Sequence, residues 1–357
     1  MTTDANKDAG TRGFRMPAEW SVHSGTLMAW PDNRDTWPGD HLTNVETVYR
    51  ELIRTLLKYE PVVLLTSSEK VGTRAIDVIG DTSALNHQLH LLAMPVNDVW
   101  VRDSGPIAVR DKNGQIHFTD WEFNSWGEKY SPWDDDNQIP QRLSQHFDIP
   151  LHSVGKILEG GSIDTNGEGI FLTTESVLLN PNRNPDLSRT DIESYLYSYL
   201  GAEKVIWLKD GLEGDDTDGH IDDLARFVSP NTIVTSLTED RSNPNYDILY
   251  ENLDILMGSF DLKGRAFNII TLPLPDTLSS ELTVDGSSHV PSSYANFYIA
   301  NGAVLVPLYD SRTDQQALDI FKMLFPDRTV EGIPCSDLVW GQGSIHCITQ
   351  QLYGIDL

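Results

Sequence analysis

Residues 162–174 read SIDTNGEGIFLTT, in which two short runs rich in apolar and β-branched residues flank Asn166-Gly167. Asn-Gly between such runs is the strongest short signal for a β-hairpin, because both residues tolerate the positive φ angles of a tight turn. The pattern recurs in three other places, twice with Asn-Gly and once with Pro-Asn, and so predicts four hairpins. The other three stretches are AVRDKNGQIHF at 108–118, RFVSPNTIVTS at 226–236 and YIANGAVLVPL at 298–308.

The spacing of these hairpins indicates an internal repeat. The turn asparagines Asn113, Asn166, Asn231 and Asn301 are separated by 53, 65 and 70 residues, which fits one supersecondary unit repeated with insertions of variable length. An earlier run, SGTLMAWP at 24–31, is similar to the beginning of a fifth unit but lacks the turn.

Helical patterns lie between the hairpins. The stretch TNVETVYRELIRTLLKY at 43–59 places its apolar residues along one stripe, and Thr43 with Glu46 has the spacing of a capping box. Three further helices are predicted, and two of them are followed by β-like runs, FNIITLPLP and RTVEGIP. These helices are SRTDIESYLYSYLG at 188–201, NPNYDILYENLDILMG at 243–258 and TDQQALDIFKMLFP at 313–326. The chain therefore reads as α/β modules of hairpin, helix and strand.

Composition sets bounds on the class of protein. The 357 residues are 39% hydrophobic and 22% charged, as in ordinary globular proteins, and no Pro/Ser linker divides them. We expect a disordered segment at 1–12 and one domain at 13–357. No signal peptide or apolar run of membrane-spanning length is evident, so we expect a cytoplasmic protein with Cys335 and Cys347 reduced.

The net charge of −27 disfavours contact with nucleic acid or an anionic membrane surface. A small cationic substrate would be attracted instead, although acidity can also serve solubility alone.

The most acidic stretch, DGLEGDDTDGHIDD at 210–223, surrounds His220 with seven carboxylates. An EF-hand loop aligned on Gly219 would require acidic ligands at Gly214 and Ala225, so a standard calcium loop is excluded. His220 and Asp222 would share a face of a strand, and an imidazole beside a carboxylate suits proton transfer. A solvated acidic loop is the alternative.

Three other stretches carry groups of chemical interest. NDVWVRDSGP at 97–106 would place Trp100 on one side of a strand and Asp103 on the other, and EGGS at 159–162 puts Glu159 before two glycines. GQGSIHCITQQ at 341–351 contains Cys347. If that stretch is extended, His346 points away from the thiol, so Cys347 needs a partner from elsewhere or is simply packed in the core, as we expect for Cys335.

A thiol, an imidazole and several carboxylates are the groups that hydrolysis of a guanidinium carbon requires. The guanidinium ion is planar and cationic, so carboxylates can hold it through paired N–H···O bonds. Its central carbon resists attack by water, whereas a thiolate can attack it and a histidine can protonate the departing ammonia.

These residues and their surroundings resemble agmatine deiminases of the guanidino-group-modifying superfamily, a group similar to the bacterial peptidyl-arginine deiminase family. The resemblance runs in order along nearly the whole chain. The segments that carry it are GFRMPAEW, TLMAWPDNRDTWPG, NDVWVRDSGP, WEFNSWGEKY, LEGGSIDTNGEGIFLTTESVLLNPNRNP, TDGHIDDLARFVSP, YANFYIANGAVLVP, LFPDRTVEGIPC and GQGSIHCITQQ.

The resemblance implies a pentein-type five-bladed α/β-propeller of repeated ββαβ modules with pseudo-fivefold symmetry. It also implies a site without metal or organic cofactor, a homodimer or larger homo-oligomer, and a role in putrescine and polyamine synthesis. The implied roles are Cys347 as nucleophile, His220 as acid and base, Glu159 as an orienting carboxylate, Asp103 and Asp222 as guanidinium clamps, and Trp100, Asp216 and Gly343 as contacts for the rest of the substrate.

The chain departs from the family pattern at GQGSIHC, usually GGGNIHC, and at EGDDTDGH, usually close to PEETNGH. These changes leave the substrate tail open between agmatine, arginine, peptidyl-arginine and another guanidine. Two non-deiminase readings are a propeller-like binding protein without activity and a zinc site built from Cys347, His346 and His220. A binding protein has no need of all five of Cys347, His220, Glu159, Asp103 and Asp222. The zinc site is disfavoured because no second Cys or His has metal-ligand spacing.

Overall fold

The computed structural model describes residues 13–275, 282–284, 286–287, 289–309 and 312–357. The segment 1–12, for which the sequence predicts disorder, lies outside the described residues.

Four sheets repeat the same arrangement, an antiparallel strand pair followed by a third strand parallel to the second. All four predicted hairpins are confirmed as the antiparallel pairs. The strands are Ile107–Arg110, Ile116–Glu122 and Leu151–Ile157 in module 2; Asp164–Thr165, Ile170–Thr174 and Lys204–Leu208 in module 3; Ala225–Ser229, Thr232–Leu237 and Asn268–Pro273 in module 4; and Tyr298–Ala300, Ala303–Leu308 and Thr329–Pro334 in module 5.

Module 1 is built from both ends of the chain. Gly25–Ala29 pairs in parallel with Val62–Thr66, which pairs in parallel with Leu89–Ala93. The antiparallel partner of Gly25–Ala29 is the C-terminal strand Gln350–Leu352. This explains why the early run SGTLMAWP has no turn, and it completes the five ββαβ modules of the predicted α/β-propeller.

Helices connect the second and third strands of each module, as the sequence predicts, and short helices occur elsewhere. Ser188 caps the helix before module 3's third strand in a capping box with Asp191, and Gly201 ends it at φ +76°. The helices are His41–Leu56, Glu69–Ile79, Val101–Ser104, Ser125–Glu128, Ile139–Phe147, Glu175–Leu178, Arg189–Leu200, Tyr246–Met257, Asp314–Leu324 and Ser336–Val339.

The predicted capping box at Thr43 is wrong. The first long helix begins two residues earlier, so Thr43 lies inside its first turn and Asp40 is the N-terminal flanking residue. Glu46 instead pairs with Arg74 of the next helix at 2.7 Å. The predicted apolar stripe is confirmed, since Val45, Leu52 and their neighbours on that face are fully buried.

The described helices include none that is both long enough and apolar enough to cross a lipid bilayer.

A short turn leads into the first strand of every module, and the candidate catalytic residues Asp103, Glu159, His220, Asp222 and Cys347 lie within these turns or directly before them. The turns comprise Val101–Ser104, the 3₁₀ turns Gly160–Ser162 and Ile221–Asp223, and the loops at 294–297 and 344–349. The extended conformation considered for NDVWVRDSGP, for His220 with Asp222 and for the part of GQGSIHCITQQ before the strand at 350 is therefore wrong. Buried polar side chains hydrogen-bond across these turns and so override the local strand pattern.

Candidate active site

The site opens into a cavity of about 710 Å³ whose lining includes Cys347, Asp103 and Trp100. Its lining is strongly acidic, with six aspartates against two basic residues. The aspartates are Asp32, Asp35, Asp98, Asp103, Asp136 and Asp216, and the basic residues are Arg34 and Lys129. Lys129 donates to Asp218 at 2.8 Å, so one of the two cations is already neutralised. The cavity is suited to a cation.

Cys347 lies in the loop before the C-terminal strand, 6% exposed. Asn296, from the corresponding loop of module 5, donates from Nδ2 to the Cys347 sulfur at 3.1 Å and to Asp223 Oδ1 at 2.9 Å. Its Oδ1 accepts the backbone N–H groups of His346 at 2.9 Å and of Cys347 at 3.4 Å. The amide side chain of Asn296 thus positions both the backbone and the sulfur of Cys347.

Burial raises the pKa of the Cys347 thiol well above its ordinary value, and the neighbouring Asp222, Asp223 and Asp103 raise it further. The sulfur lies 3.8 Å from Asp222 Oδ2. Both effects disfavour a second negative charge at this position, so the free protein holds a neutral thiol.

His220, Asp103 and Asp222 meet beside Gly161. His220 Nδ1 lies 3.8 Å from Asp103 Oδ1 and 3.9 Å from Asp222 Oδ1. A Cβ on Gly161 would stand 2.6 Å from His220 Nδ1 and 2.7 Å from Asp103 Oδ1, so only glycine allows these groups to converge. The second glycine of EGGS therefore has a packing role that the sequence alone did not identify.

His220 is 1% exposed and its Nε2 has no hydrogen-bond partner among the described residues. Burial lowers its pKa well below the ordinary value, and the Arg183 guanidinium lowers it further. The imidazole is therefore neutral in the free protein and can take up a proton.

Asp103 accepts hydrogen bonds on both oxygens, from the Gly161 N–H at 2.9 Å and from the Trp126 indole at 3.0 Å. Burial and the nearby Glu159 raise its pKa to about 7, against the opposing effect of these two donors. The carboxyl is thus oriented by the protein yet close to half-protonated at neutral pH.

The segment that carries Trp126 has left-handed backbone at Ser125, Trp126 and Glu128, with φ between 52° and 66°. Such conformations are costly for residues with a side chain and persist where surrounding contacts fix them. Here Asn124 Oδ1 accepts the Gly127 N–H at 3.0 Å. The strained turn aims the indole at Asp103.

Glu159 is fully buried and pairs through Oε1 with Arg183 Nε at 2.5 Å, while its Oε2 has no partner among the described residues. Arg183 also donates to Asp218 Oδ2 at 2.7 Å and to the Thr217 carbonyl at 2.9 Å. Arg183 therefore ties Glu159 to the acidic loop that precedes His220. The sequence reading missed Arg183, although it lies in the quoted segment LNPNRNP.

His346 does not point away from the Cys347 side, as an extended conformation would require. Its ring is 2% exposed, with Nδ1 2.7 Å from Asp222 Oδ2 and Nε2 2.8 Å from Glu19 Oε2. Residues 344–349 turn, with Thr349 N–H bonding to the His346 carbonyl, and the turn points both His346 and Cys347 toward the protein centre. Alternation of faces applies only to a strand.

The three residues proposed for the rest of the substrate differ in position. Trp100 and Asp216 line the cavity, and Asp216 accepts from the Tyr130 hydroxyl at 2.6 Å. Gly343 does not belong to the lining; a Cβ there would meet the Trp100 ring at 2.2 Å. Gly343 thus gives Trp100 room to pack, and its contact with the substrate stays a prediction.

Asp222, Asp223 and Cys347 offer ligand atoms within 4.8 Å of one another, the one such potentially metal-binding group among the described residues. The histidines of the zinc reading are not part of it. Asp222 Oδ1 has no partner among the residues that the structure describes. Buried acids with a free oxygen can also bind an organic cation, which the acidic cavity favours.

Comparison with known proteins covers nearly the whole chain. The family model of Porphyromonas-type peptidyl-arginine deiminases matches residues 15–352. A Legionella pneumophila (strain Paris) protein named "Putative agmatine deiminase" is 38% identical over 350 residues, 95% of each chain. The solved agmatine deiminase of Enterococcus faecalis has a TM-score of 0.88 at 32% identity over 97% of each chain. A Porphyromonas gingivalis "Putative Arginine Deiminase" has a TM-score of 0.87 at 38% identity over 96% of this chain and 98% of that one.

Proposed function

This chain belongs to the Porphyromonas-type peptidyl-arginine deiminase family, and we propose that it is an agmatine deiminase. It converts agmatine and water to N-carbamoylputrescine and ammonia, a step toward putrescine. The observation that carries the choice of substrate is the acidic cavity that ends at Cys347.

Agmatine has a guanidinium at one end and an ammonium at the other, and both charges match the cavity. Six aspartates line it, and Lys129 is already paired with Asp218. Burial raises the pKa of Asp136 to about 8 and that of Asp103 to about 7, so a bound cation also favours their ionisation. Free arginine would bring an α-carboxylate into this acidic space, where like charges repel. The amine tail is therefore favoured over the amino-acid tail.

In the first step the guanidinium binds between Asp103 and Asp222, whose carboxyl groups flank His220. Asp222 Oδ1 is buried without a partner among the described residues and is available to accept an N–H of the substrate. The cation neutralises acids that otherwise oppose ionisation of Cys347. In this proposal the thiolate therefore forms when the substrate arrives.

In the second step the Cys347 sulfur attacks the guanidinium carbon and forms a C–S bond. His220, carrying the proton released by the thiol, gives it to one amino group, and ammonia leaves as the C–N bond breaks. Water then adds to the thiouronium carbon with His220 as base, and the C–S bond breaks to release the product and regenerate the thiol. Glu159 orients this region through its contacts with Arg183 and its proximity to Asp103.

A deiminase of peptidyl-arginine or free arginine is the second candidate. It is favoured by the description of the family model and by the cavity volume of about 710 Å³, which leaves space for a larger ligand. A binding scaffold without activity is disfavoured because a buried thiol, a buried unpartnered imidazole nitrogen and unpartnered carboxylate oxygens converge at one point.

Ammonia release from agmatine, free arginine and an arginine-containing peptide, measured side by side, tests the proposal. We expect activity on agmatine with kcat/KM exceeding that on arginine by about 100-fold or more, because a buried like charge costs several kcal/mol. Carbamoylputrescine should accumulate in step with ammonia. Comparable or higher turnover of the peptide would assign the second candidate instead.

Alkylation of Cys347 tests the coupling between the thiolate and a bound cation. We expect cationic 2-chloroacetamidine to inactivate the protein faster than neutral iodoacetamide at pH 7, although iodide is the better leaving group, because only the cation lowers the raised pKa of the thiol. Rates are measured by residual activity and by mass of the labelled peptide. A faster reaction with iodoacetamide would show that the thiolate exists before the cation binds.

A further inference from the structure

His346 forms a buried bridge that the reaction steps above do not use. Its ring lies between two carboxylates, with Nδ1 2.7 Å from Asp222 Oδ2 and Nε2 2.8 Å from Glu19 Oε2. All three side chains are at most 6% exposed. The bridge thus connects Asp222, one of the two carboxylates proposed to bind the guanidinium, to Glu19 in the N-terminal segment.

Counting protons restricts the possible states of this bridge. Both ring nitrogens stand at hydrogen-bonding distance from a carboxylate oxygen, and each contact needs one proton to be attractive. A neutral imidazole carries a single N–H. The second proton must therefore reside on the ring, making it an imidazolium, or on one of the two carboxyl groups.

The surrounding charges decide which carboxyl is protonated. Glu19 faces two guanidinium groups, Arg226 at 3.0 Å and Arg102 at 3.4 Å, and it also accepts the Ile299 N–H at 2.8 Å. These contacts keep Glu19 ionised and place cations near the His346 ring. The backbone carbonyl of His346 also accepts a hydrogen bond from Arg102 Nε at 3.3 Å.

The surroundings of Asp222 have the opposite net effect. Burial, Asp103 and Asp215 oppose a negative charge on this carboxyl and outweigh the opposing influence of Arg226 and Arg102. Its other titratable neighbours are the Cys347 thiol, 3.8 Å from Oδ2, and His220, 3.9 Å from Oδ1. In the free protein, then, Asp222 is the protonated acid that donates to Nδ1, and Nε2–H of His346 donates to Glu19.

We propose that His346 is a positioning residue that takes the proton from Asp222 when the guanidinium binds. The O–H bond of Asp222 breaks, an N–H bond forms at Nδ1, and the resulting imidazolium is held between two carboxylates. Asp222 becomes an anion facing the substrate without release of a proton to solvent. The inference rests on the proposed function, because a cation must enter the site to trigger the transfer.

The directions of the pKa values in the free protein agree with this geometry. The pKa of Glu19 is lowered well below its ordinary value because Arg226 and His346 outweigh the effect of burial. Burial, then Asp103, raises the pKa of Asp222 well above its ordinary value despite Arg226 and Arg102. Burial, then Arg102 and Arg226, lowers the pKa of His346 despite Glu19. Both directions leave the proton on Asp222 until a cation arrives.

Nitrogen-15 NMR of the histidine side chains in the Cys347→Ser protein tests the transfer directly, since this variant retains the bridge and cannot turn over the substrate. Without ligand, we expect the Nδ1 resonance of His346 to be that of an unprotonated acceptor. With saturating agmatine, it should move to the position of a protonated nitrogen. His152 provides an internal control, because its ring contacts His117 at 3.0 Å outside the cavity lining and its resonances should not change.

Each outcome decides one question. If calorimetry on the same sample shows that agmatine binds while the His346 resonance is unchanged, the proposed transfer is overturned and the deiminase assignment stays intact. An Nδ1 already protonated without ligand would overturn it as well. Absence of agmatine binding would instead remove the proposed function on which the inference depends.

Kinetics of Glu19→Gln, with Glu60→Gln as the matched control, provide a second readout. Removing the Glu19 charge destabilises the imidazolium, so we expect KM for agmatine to rise by about tenfold at pH 7 with kcat changed much less. The deficit should shrink at higher pH, where Asp222 ionises without the help of His346. If Glu19→Gln acted only through a general loss of packing, kcat would fall as well and KM would not recover at higher pH. In Glu60→Gln, we expect neither the rise in KM nor its dependence on pH.

Discussion

Replacing Cys347 by alanine should reduce kcat for agmatine hydrolysis by about 10⁴-fold or more, because the proposed covalent catalysis has no substitute once the thiol is gone. The cavity and its carboxylates remain, so agmatine should still bind. Ammonia release under single-turnover conditions measures the loss, and calorimetry measures the retained affinity.

Cys335→Ala is the matched control, because it makes the same substitution at the other buried thiol of this chain. Cys335 directly follows the strand Thr329–Pro334 and packs in a hydrophobic core cluster, and burial raises its pKa to about 12, so it contributes no thiolate. Its loss should lower stability slightly and leave kcat within about threefold. Comparable activity in Cys347→Ala and the parent protein would remove the cysteine mechanism altogether.

Asp103→Asn should reduce kcat/KM for agmatine by about 10²- to 10³-fold, since removing one partner of a buried charge pair costs roughly 3–4 kcal/mol. The asparagine also presents an N–H toward either Gly161 or Trp126, both of which are donors. Initial rates over a range of agmatine concentrations separate the effect on KM from that on kcat.

The pH dependence of kcat/KM distinguishes a role of the Asp103 carboxylate in binding the substrate from a purely structural role. Because burial raises the pKa of Asp103 to about 7, the group is neutral below that pH and cannot pair with a guanidinium. The parent protein should therefore lose kcat/KM as the pH falls through about 7, and Asp103→Asn should lack that limb of the profile. Asp120→Asn is the control, since Asp120 is a buried acid bound to Ser153 and Gln141 away from the cavity. An unaltered acid limb in Asp103→Asn would assign the ionisation to another group.

Local turn chemistry made much of the fold predictable. Asn113-Gly114, Asn166-Gly167 and Asn301-Gly302 each form the hairpin expected from the dipeptide, with a third strand reached through a helix. The fifth module could not be completed from local patterns, because the pairing of Gly25–Ala29 with Gln350–Leu352 joins residues from opposite ends of the chain.

The residues of the candidate site were predictable by type, and their partners were not. Cys347, His220 and Asp103 stand out as reactive groups beside glycines, whereas Asn296 and Arg183 look like ordinary polar residues in loops. Their importance arises from contacts across more than 20 positions of sequence, such as Asn296 with Cys347 and Arg183 with Glu159. The alternation of polar and apolar residues alone could not show that GQGSIHC forms a turn and not a strand.

The sequence by itself determined the α/β modules, the acidic character and the set of candidate reactive residues, because periodicity, turn residues and charge act within a few positions along the chain. Only the tertiary structure decided which of these groups meet. His346 lies between Asp222 and Glu19 because module 4, the loop at 344–349 and the N-terminal segment converge at the centre. Desolvation there shifts the pKa values of Cys347, Asp222 and His346, and burial is a property of the folded chain rather than of any local segment.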